Sequence, residues 1–274
     1  MAVPGSYNAS TYHRDLESEL NRLRAQLALS WNKEARNLQW LGLCDGMSVI
    51  ELGSGPGFST ENLLQLFPHN VITSVEIDPL MAQQARQQLQ TYSSAGRFQL
   101  LEANANDTGL PDNSQDFAIA RLLFQHLPEP LTVLQEVWRV LKPGGKLVIT
   151  DVDGDLFWLF EPPLSEAALI SERMSQAQAA QGGDRQISHK LWRLLQAAGF
   201  QNLDLELIAA HSDELGLPAF LPQLDPDLLL NLVKVGLLSE PELAQIAQSR
   251  EAFVTAPDPF VLLMWFMVSG VKVI

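Results

Sequence analysis

The stretch from Val49 to Thr60, V-I-E-L-G-S-G-P-G-F-S-T, constrains the chain more than any other. An apolar run, Met47 to Leu52, ends in Gly53, Gly55 and Gly57, and Asn62 to Phe67 then reads as a helix. A strand, a glycine turn and a helix in that order present backbone N–H groups and a helix N-terminus to a ligand. The spacing restricts which ligand. A dinucleotide fingerprint, G-x-G-x-x-G, would place its third glycine where Phe58 stands, and no Gly-Lys-Ser/Thr phosphate loop follows. The turn suits a ligand with an adenosine end and no phosphate.

A second strand, Val71 to Ile77, ends in Val75-Glu76-Ile77-Asp78-Pro79. A carboxylate at the carboxyl end of the second strand is placed to accept both ribose hydroxyls. Further strands are predicted over Phe98–Glu102, Phe117–Arg121 and Lys146–Asp151, with helices over Leu80–Tyr92 and Leu131–Leu141 between them. Alternating strands and helices predict a parallel sheet with crossover helices. After Asp151 the alternation breaks at Pro162-Pro163 and an Ala/Gln/Ser-rich helix. It resumes with a helix from Ile187 to Ala198 and a strand from Asn202 to Ile208. It breaks again over His211 to Pro257, where helices are predicted near Asp227–Val235 and Glu240–Ala252, and a strand from Phe260 to Val268 closes the pattern. The expectation is one α/β domain over 1–274 with a seven-stranded, mostly parallel sheet and flanking helices. Its parts are an N-terminal helical cap (1–45), a core (46–151 and 187–210), cap insertions (152–186 and 211–258) and the final strand (259–274). The apolar recurrence from Leu16 to Leu41 predicts two helices or one kinked helix in the first part. Ligands of such sheets bind at the carboxyl ends of the strands, so the caps would roof an apolar cavity lined by Phe157, Trp158, Phe160, Phe220 and Leu221.

With Glu51 ahead of the three glycines, Glu76 closing the second strand and Lys142-Pro143-Gly144-Gly145 feeding the fifth, the chain resembles the class I S-adenosylmethionine (SAM)-dependent methyltransferases of small-molecule type. The likeness covers roughly residues 46–149, and more loosely 187 to the end. It implies a Rossmann-like fold, SAM as cofactor, and Glu51, Gly53, Ser54, Gly55, Gly57, Glu76, Ile77, Asn104, Ala105 and Arg121 as cofactor-binding residues. Asn104 stands where the family carries an acid against the adenine; its amide oxygen can still accept from the adenine amino group, with weaker binding. The resemblance also lays the N-terminal helices across the cofactor. Tyr7, Tyr12 and His13 there suit either cation–π cover of the sulfonium or plain packing. Arg22, Arg24 and Gln26 read as a solvated helix face, with contact to the methionine carboxylate as the alternative.

His126, in the segment that resembles the lining of the methyl-donor site, is the leading general-base candidate because imidazole titrates near neutrality; packing or a place in the cofactor shell is the competing reading. Asp153 is the second candidate, as base or substrate anchor, ahead of His13 and His211. Asp151, Asp153 and Asp155 alternate, but Gly154 falls too early and Pro162 stands where a calcium loop needs glutamate, so a calcium loop is rejected; no metal is expected, with a divalent ion of the catechol-methylating kind as the minor alternative. No Ser-His-Asp or Cys-His spacing appears, and the Asn-Pro-Pro-Tyr/Phe motif of base-amino and glutamine methylation is absent.

A net charge of −14, from 18 Lys+Arg against 32 Asp+Glu, supplies little basic surface for nucleic acid and excludes it as a partner. The single cysteine, Cys44, excludes an internal disulfide and is expected to be a buried apolar residue. The N-terminus shows no secretory signal, and Phe260–Val268 is too short to span a bilayer, so a cytoplasmic protein is expected. The function expected is methyl transfer from SAM to an O or N atom of a small organic acceptor of secondary-metabolite kind. Quinone-type C-methylation, or SAM binding for a non-methylating reaction, are the alternatives. A homodimer is the candidate assembly.

Overall fold

Strand β1 (Ser48–Leu52) is buried from Val49 onward, Glu51 included, as a strand at the centre of a parallel sheet is. In the computed structural model, which describes residues 6–7 and 15–273, β1 runs parallel to β2 (Val71–Glu76) on one side and β4 (Gln115–Arg121) on the other. β3 (Phe98–Glu102) extends the sheet beyond β2, and β5 (Leu141–Asp151) beyond β4, both parallel. The long β8 (Phe260–Val271) then pairs antiparallel with β5 through Lys146↔Val271 to Asp151↔Phe266. β7 (Gln201–His211) pairs antiparallel along the other edge of β8.

The α/β class and the largely parallel sheet follow the predicted alternation. The strand count does not: among the described residues the sheet has eight strands. The addition is β6 (Trp158–Glu161), in a segment expected to be cap, which pairs with the Phe260–Leu263 end of β8 beyond the reach of β5. Phe157-Trp158-Leu159-Phe160 is continuously apolar, so its sequence shows no period-two signal. The edge of β8 left free beyond the end of β5 makes it a strand.

Alternation along the strands divides the core into two faces. Val49, Phe117, Ile119 and Val148 pack with Leu29 and Leu38 of α1 (Leu16–Trp40) and Leu63 and Leu64 of α2 (Phe58–Leu66). Ile50, Leu52, Ala118, Leu147 and Ile149 pack with Val133, Leu134 and Val137 of α4 (Pro130–Val140) and Leu191 and Leu195 of α6 (Ser188–Ala197). Between β2 and β3 the expected single helix is α3 (Pro79–Gln88) followed, after Leu89, by a short turn over Gln90–Ser94.

α1 is one helix, not two. Asp15 caps it by accepting from Ser18 N at 2.8 Å, and no proline or glycine interrupts it. Its buried stripe includes Glu19, Arg22, Gln26, Ser30 and Glu34. The solvated face expected for Arg22 and Gln26 is therefore corrected: both are buried, and only Arg24 stays exposed. Cys44 is likewise corrected, since it is exposed.

A third cluster, Ile170, Leu229, Leu232, Leu238 and Ile246, joins α5 (Ala167–Ala179) and α7 (Glu240–Val254) over the carboxyl end of the sheet. A capping box of Ser239 and Glu242 starts α7. The helix expected near Asp227–Val235 is a 3₁₀ turn, Pro226–Leu229, running into a short α-helix, Leu230–Lys234.

Candidate active site

Gly53, Ile77, Ala103, Leu122 and Val152 each follow a strand end directly, and all five line a cavity of about 400 Å³. The carboxyl edge of the parallel sheet is its floor. Leu122 holds a left-handed backbone (φ 53°), unusual for a branched side chain, with its N–H on Thr150 O at 2.7 Å.

At one end the glycine turn and β2 meet. Gly53, Gly55 and Gly57 all have positive φ (64°, 56° and 84°). Glu76 ties this loop to the second strand: its Oε2 accepts from Gly55 N at 2.7 Å and its Oε1 from Asp78 N at 2.8 Å. Burial pushes its carboxyl above the usual range, and these backbone N–H bonds pull it back. Each carboxylate oxygen keeps a lone pair for a further donor. A Cβ at Gly55 would meet nothing within 4 Å, whereas one at Gly57 would lie 2.9 Å from Leu89 Cδ1 and 3.3 Å from Ala85 Cα. The glycines thus divide their work: Gly55 leaves the ligand side open, and Gly57 lets α2 approach α3. Ser54 Oγ is buried without a hydrogen-bond partner beside this opening. An open glycine turn, an orphaned hydroxyl and a carboxylate at the end of β2 fit an adenosine-bearing cofactor without phosphate.

Of the residues expected to bind cofactor, Glu51, Gly53, Ser54, Gly55, Glu76, Ile77, Asn104, Ala105 and Arg121 line the cavity, and Gly57 does not. Glu51 is turned inward, bonded to Thr60 Oγ1 and to Ser74 Oγ, and burial raises its carboxyl. Asn104 Oδ1 accepts from Asn106 N at 3.1 Å, holding the loop after β3. Arg121 is directed to α1: its Nε lies 3.1 Å from both Glu34 oxygens and its Nη2 3.0 Å from Ser30 Oγ.

His126 lines the cavity, but its surroundings differ from those of a near-neutral base. Its Nδ1 is 2.8 Å from Ser6 Oγ and 3.3 Å from Gln178 Nε2, and the Tyr7 ring stands edge-on at 5.5 Å. Burial first, then the charges of Arg185 and Arg22, push its pKa down to about 3. Asp153 does not line the cavity; its buried carboxylate lies 2.7 Å from His189 Nε2. Tyr12 and His13 lie outside the described residues. Among the described residues, no group of three or more His, Cys, Asp or Glu is placed to hold a metal.

The other end of the cavity is apolar. Phe157 and Trp158 line it as expected, together with Leu164, Ile170, Met174, Leu228 and Phe253. Phe160, Phe220 and Leu221 do not line it; Phe160 instead packs on Phe253 at 5.4 Å. Sequence reasoning gave no cavity role to Arg185, Gln223 or Arg250, and placed Arg22 and Gln26 on a solvated face. A polar stripe at helical spacing on α1 was the available signal. It needed the knowledge that Gln223 returns to accept from Arg22 Nη1 at 3.2 Å.

The comparisons agree with this geometry. Residues 50–149 match the family described as a methyltransferase domain. The chain is 29% identical to trans-aconitate 2-methyltransferase of Methylobacterium radiotolerans over 203 residues, 72% of this chain and 66% of that protein. It is also 29% identical to the ubiquinone/menaquinone biosynthesis C-methyltransferase UbiE of Hahella chejuensis, over 40% of this chain and 45% of that protein. In both, the match spans less than two thirds of the relative's length. Phosphoethanolamine N-methyltransferase 2 of Haemonchus contortus, in complex with S-adenosylhomocysteine, shares the fold: TM-score 0.58, 19% identity, covering 89% of this chain and 53% of that one. Residues 50–149 thus match a methyltransferase domain, on a fold shared with SAM-dependent methyltransferases, and SAM is the cofactor of that family. Among the described residues no helix is long and apolar enough to cross a membrane.

Proposed function

We propose that the protein transfers the methyl group of SAM to an O or N atom of a small organic acceptor, in the cytoplasm. The observation that carries this reading is the continuity of one cavity, from the Gly55–Glu76 loop to an apolar chamber under α5 and α7. Ser54, Gly55, Glu76 and Asn104 would hold the cofactor. The cofactor supplies a methyl on a sulfonium, which passes to the acceptor by in-line displacement while S-adenosylhomocysteine departs. The chain's part is alignment, which supplies several kcal/mol without covalent catalysis.

A histidine whose conjugate acid titrates near 3 is neutral at physiological pH and takes protons weakly. His126 is therefore assigned to binding and orienting, with Ser6 and Gln178 fixing its ring, and the acceptor brings its own nucleophilic lone pair. Incubation with methyl-labelled SAM and a panel of small acids, amines and quinols tests the reading. Label in an ester, ether or methylamine together with S-adenosylhomocysteine supports it. Label on a ring carbon favours C-methylation, and turnover without S-adenosylhomocysteine overturns methyl transfer.

A further inference from the structure

The acceptor chamber contains a cation with a buried N–H for which the chain supplies no acceptor. Arg22, Arg121, Arg185 and Arg250 all line the cavity. Arg22 is held bidentately by Glu19 at 2.7 and 2.8 Å, and Arg121 is held by Glu34. Arg185 reaches Gln178 Oε1 at 3.5 Å. Arg250, on α7, has Glu251 as its ion-pair neighbour at 3.6 Å, beyond hydrogen-bond distance, and its Nε is buried without a hydrogen-bond partner. Asp225 also lines the cavity, but its Oδ1 accepts from Asp227 N at 2.9 Å and caps the turn there.

An orphaned guanidinium N–H in an apolar wall is costly, and the cost is recovered when a ligand supplies the acceptor. Resting on the methyl-transfer reading of the cavity, we propose that the acceptor is an apolar molecule bearing one carboxylate, and that Arg250 anchors that carboxylate.

The planar fork of arginine matches a carboxylate bidentately. Trp158, Ile170, Met174, Leu228 and Phe253, which line the same cavity, suit a hydrocarbon or aromatic body. One guanidinium neutralises one negative charge. A phosphate dianion would keep a charge uncompensated among these apolar side chains, which selects against it. The surplus of acid elsewhere on this chain, 32 Asp+Glu against 18 Lys+Arg, makes the anion's affinity for this spot a property of Arg250 and not of the surface at large.

The test uses the full chain saturated with S-adenosylhomocysteine, titrated by calorimetry with decanoate and with decanamide as probes of equal apolar length. Decanoate is expected to bind at least about tenfold more tightly, the range of a charge-assisted hydrogen bond. Arg250→Gln is expected to remove that preference, Arg250→Lys to keep part of it, and the exposed Arg193→Gln to keep all of it. Equal binding of the two probes, binding of neither, or a preference that survives in Arg250→Gln overturns the proposal. If Arg250→Gln does not fold, by circular dichroism, Arg250→Lys decides: a ratio unchanged from the parent overturns it. Failure of S-adenosylhomocysteine to bind sinks the methyl-transfer reading instead, and the same probe comparison without it still decides the carboxylate.

Discussion

Glu76 Oε2 accepts a 2.7 Å hydrogen bond from the backbone N–H of Gly55, so one carboxylate both shapes the glycine turn and faces the space beside it. Replacing Glu76 by Ala removes the acceptor for that N–H as well as any contact to a bound ribose. SAM affinity is expected to fall about tenfold to a hundredfold, the equivalent of 1–3 kcal/mol for hydrogen bonds to a charged group. Glu76→Gln, which keeps one acceptor oxygen, is expected to fall between. Calorimetric titration with SAM checks both, and unchanged affinity in Glu76→Ala would remove the carboxylate from the site.

Gly55 and Gly57 predict opposite phenotypes although they stand two residues apart. Gly57→Ala brings a Cβ to 2.9 Å from the tip of the buried Leu89 side chain and 3.3 Å from Ala85 Cα of α3, at φ 84°, so the leucine must repack and the backbone is strained. It is expected to lower unfolding stability by roughly 2–4 kcal/mol through strain and overpacking. Gly55→Ala finds open space, so its stability loss is expected to be only about 1 kcal/mol, from its positive φ alone. Its SAM affinity falls further than its stability. Urea unfolding beside calorimetry separates the two effects, and equal stability losses would contradict the division of roles.

The glycine turn was legible in the chain, but the separate packing role of Gly57 was not. Gly53 to Gly57 and Glu76 sit on short-range patterns, a strand ending in a turn, whose meaning depends on a few neighbouring residues. β6 and the Arg22–Gln223 contact depend on residues a hundred or more positions away, and no local period announces them. His126 shows the same limit in electrostatics: residue type gave a near-neutral imidazole, while burial and two arginines from distant segments set its titration.

Arg121 and Glu34 form a buried ion pair across 87 residues of sequence, with side chains 12% and 3% exposed. Arg121→Gln leaves the Glu34 carboxylate buried without its charge partner and is expected to cost about 3–5 kcal/mol. The double variant Arg121→Gln/Glu34→Gln is expected to recover a large part of that loss, because both charges go together. A double-mutant cycle by urea denaturation gives the coupling, and additive single losses would show that the pair does not act as a unit.

His126 and Asp151 predict opposite responses of stability to pH. Burial holds the His126 pKa down to about 3, against 6.5 for a free imidazole, so the unfolded chain takes up the proton first. This group therefore withdraws stability as pH falls from 6.5 toward 3, by at most on the order of 5 kcal/mol. Asp151, which accepts from Gln125 N at 3.1 Å and Val152 N at 2.9 Å, is pushed up to about 7 by burial, against 3.8 for a free carboxyl. Its folded state holds the proton longer, so this group withdraws stability as pH rises from 3.8 toward 7. Between about pH 4 and 6.5 the two slopes oppose each other in the parent chain. His126→Gln is expected to expose the Asp151 slope, with stability decreasing as pH rises through that window. Asp151→Asn, whose amide oxygen can still accept from the backbone, is expected to expose the His126 slope, with stability increasing over the same range. Unfolding free energies at pH 4.5, 5.5 and 6.5 for the three chains decide the matter, and parallel profiles would show that neither group titrates as its burial requires.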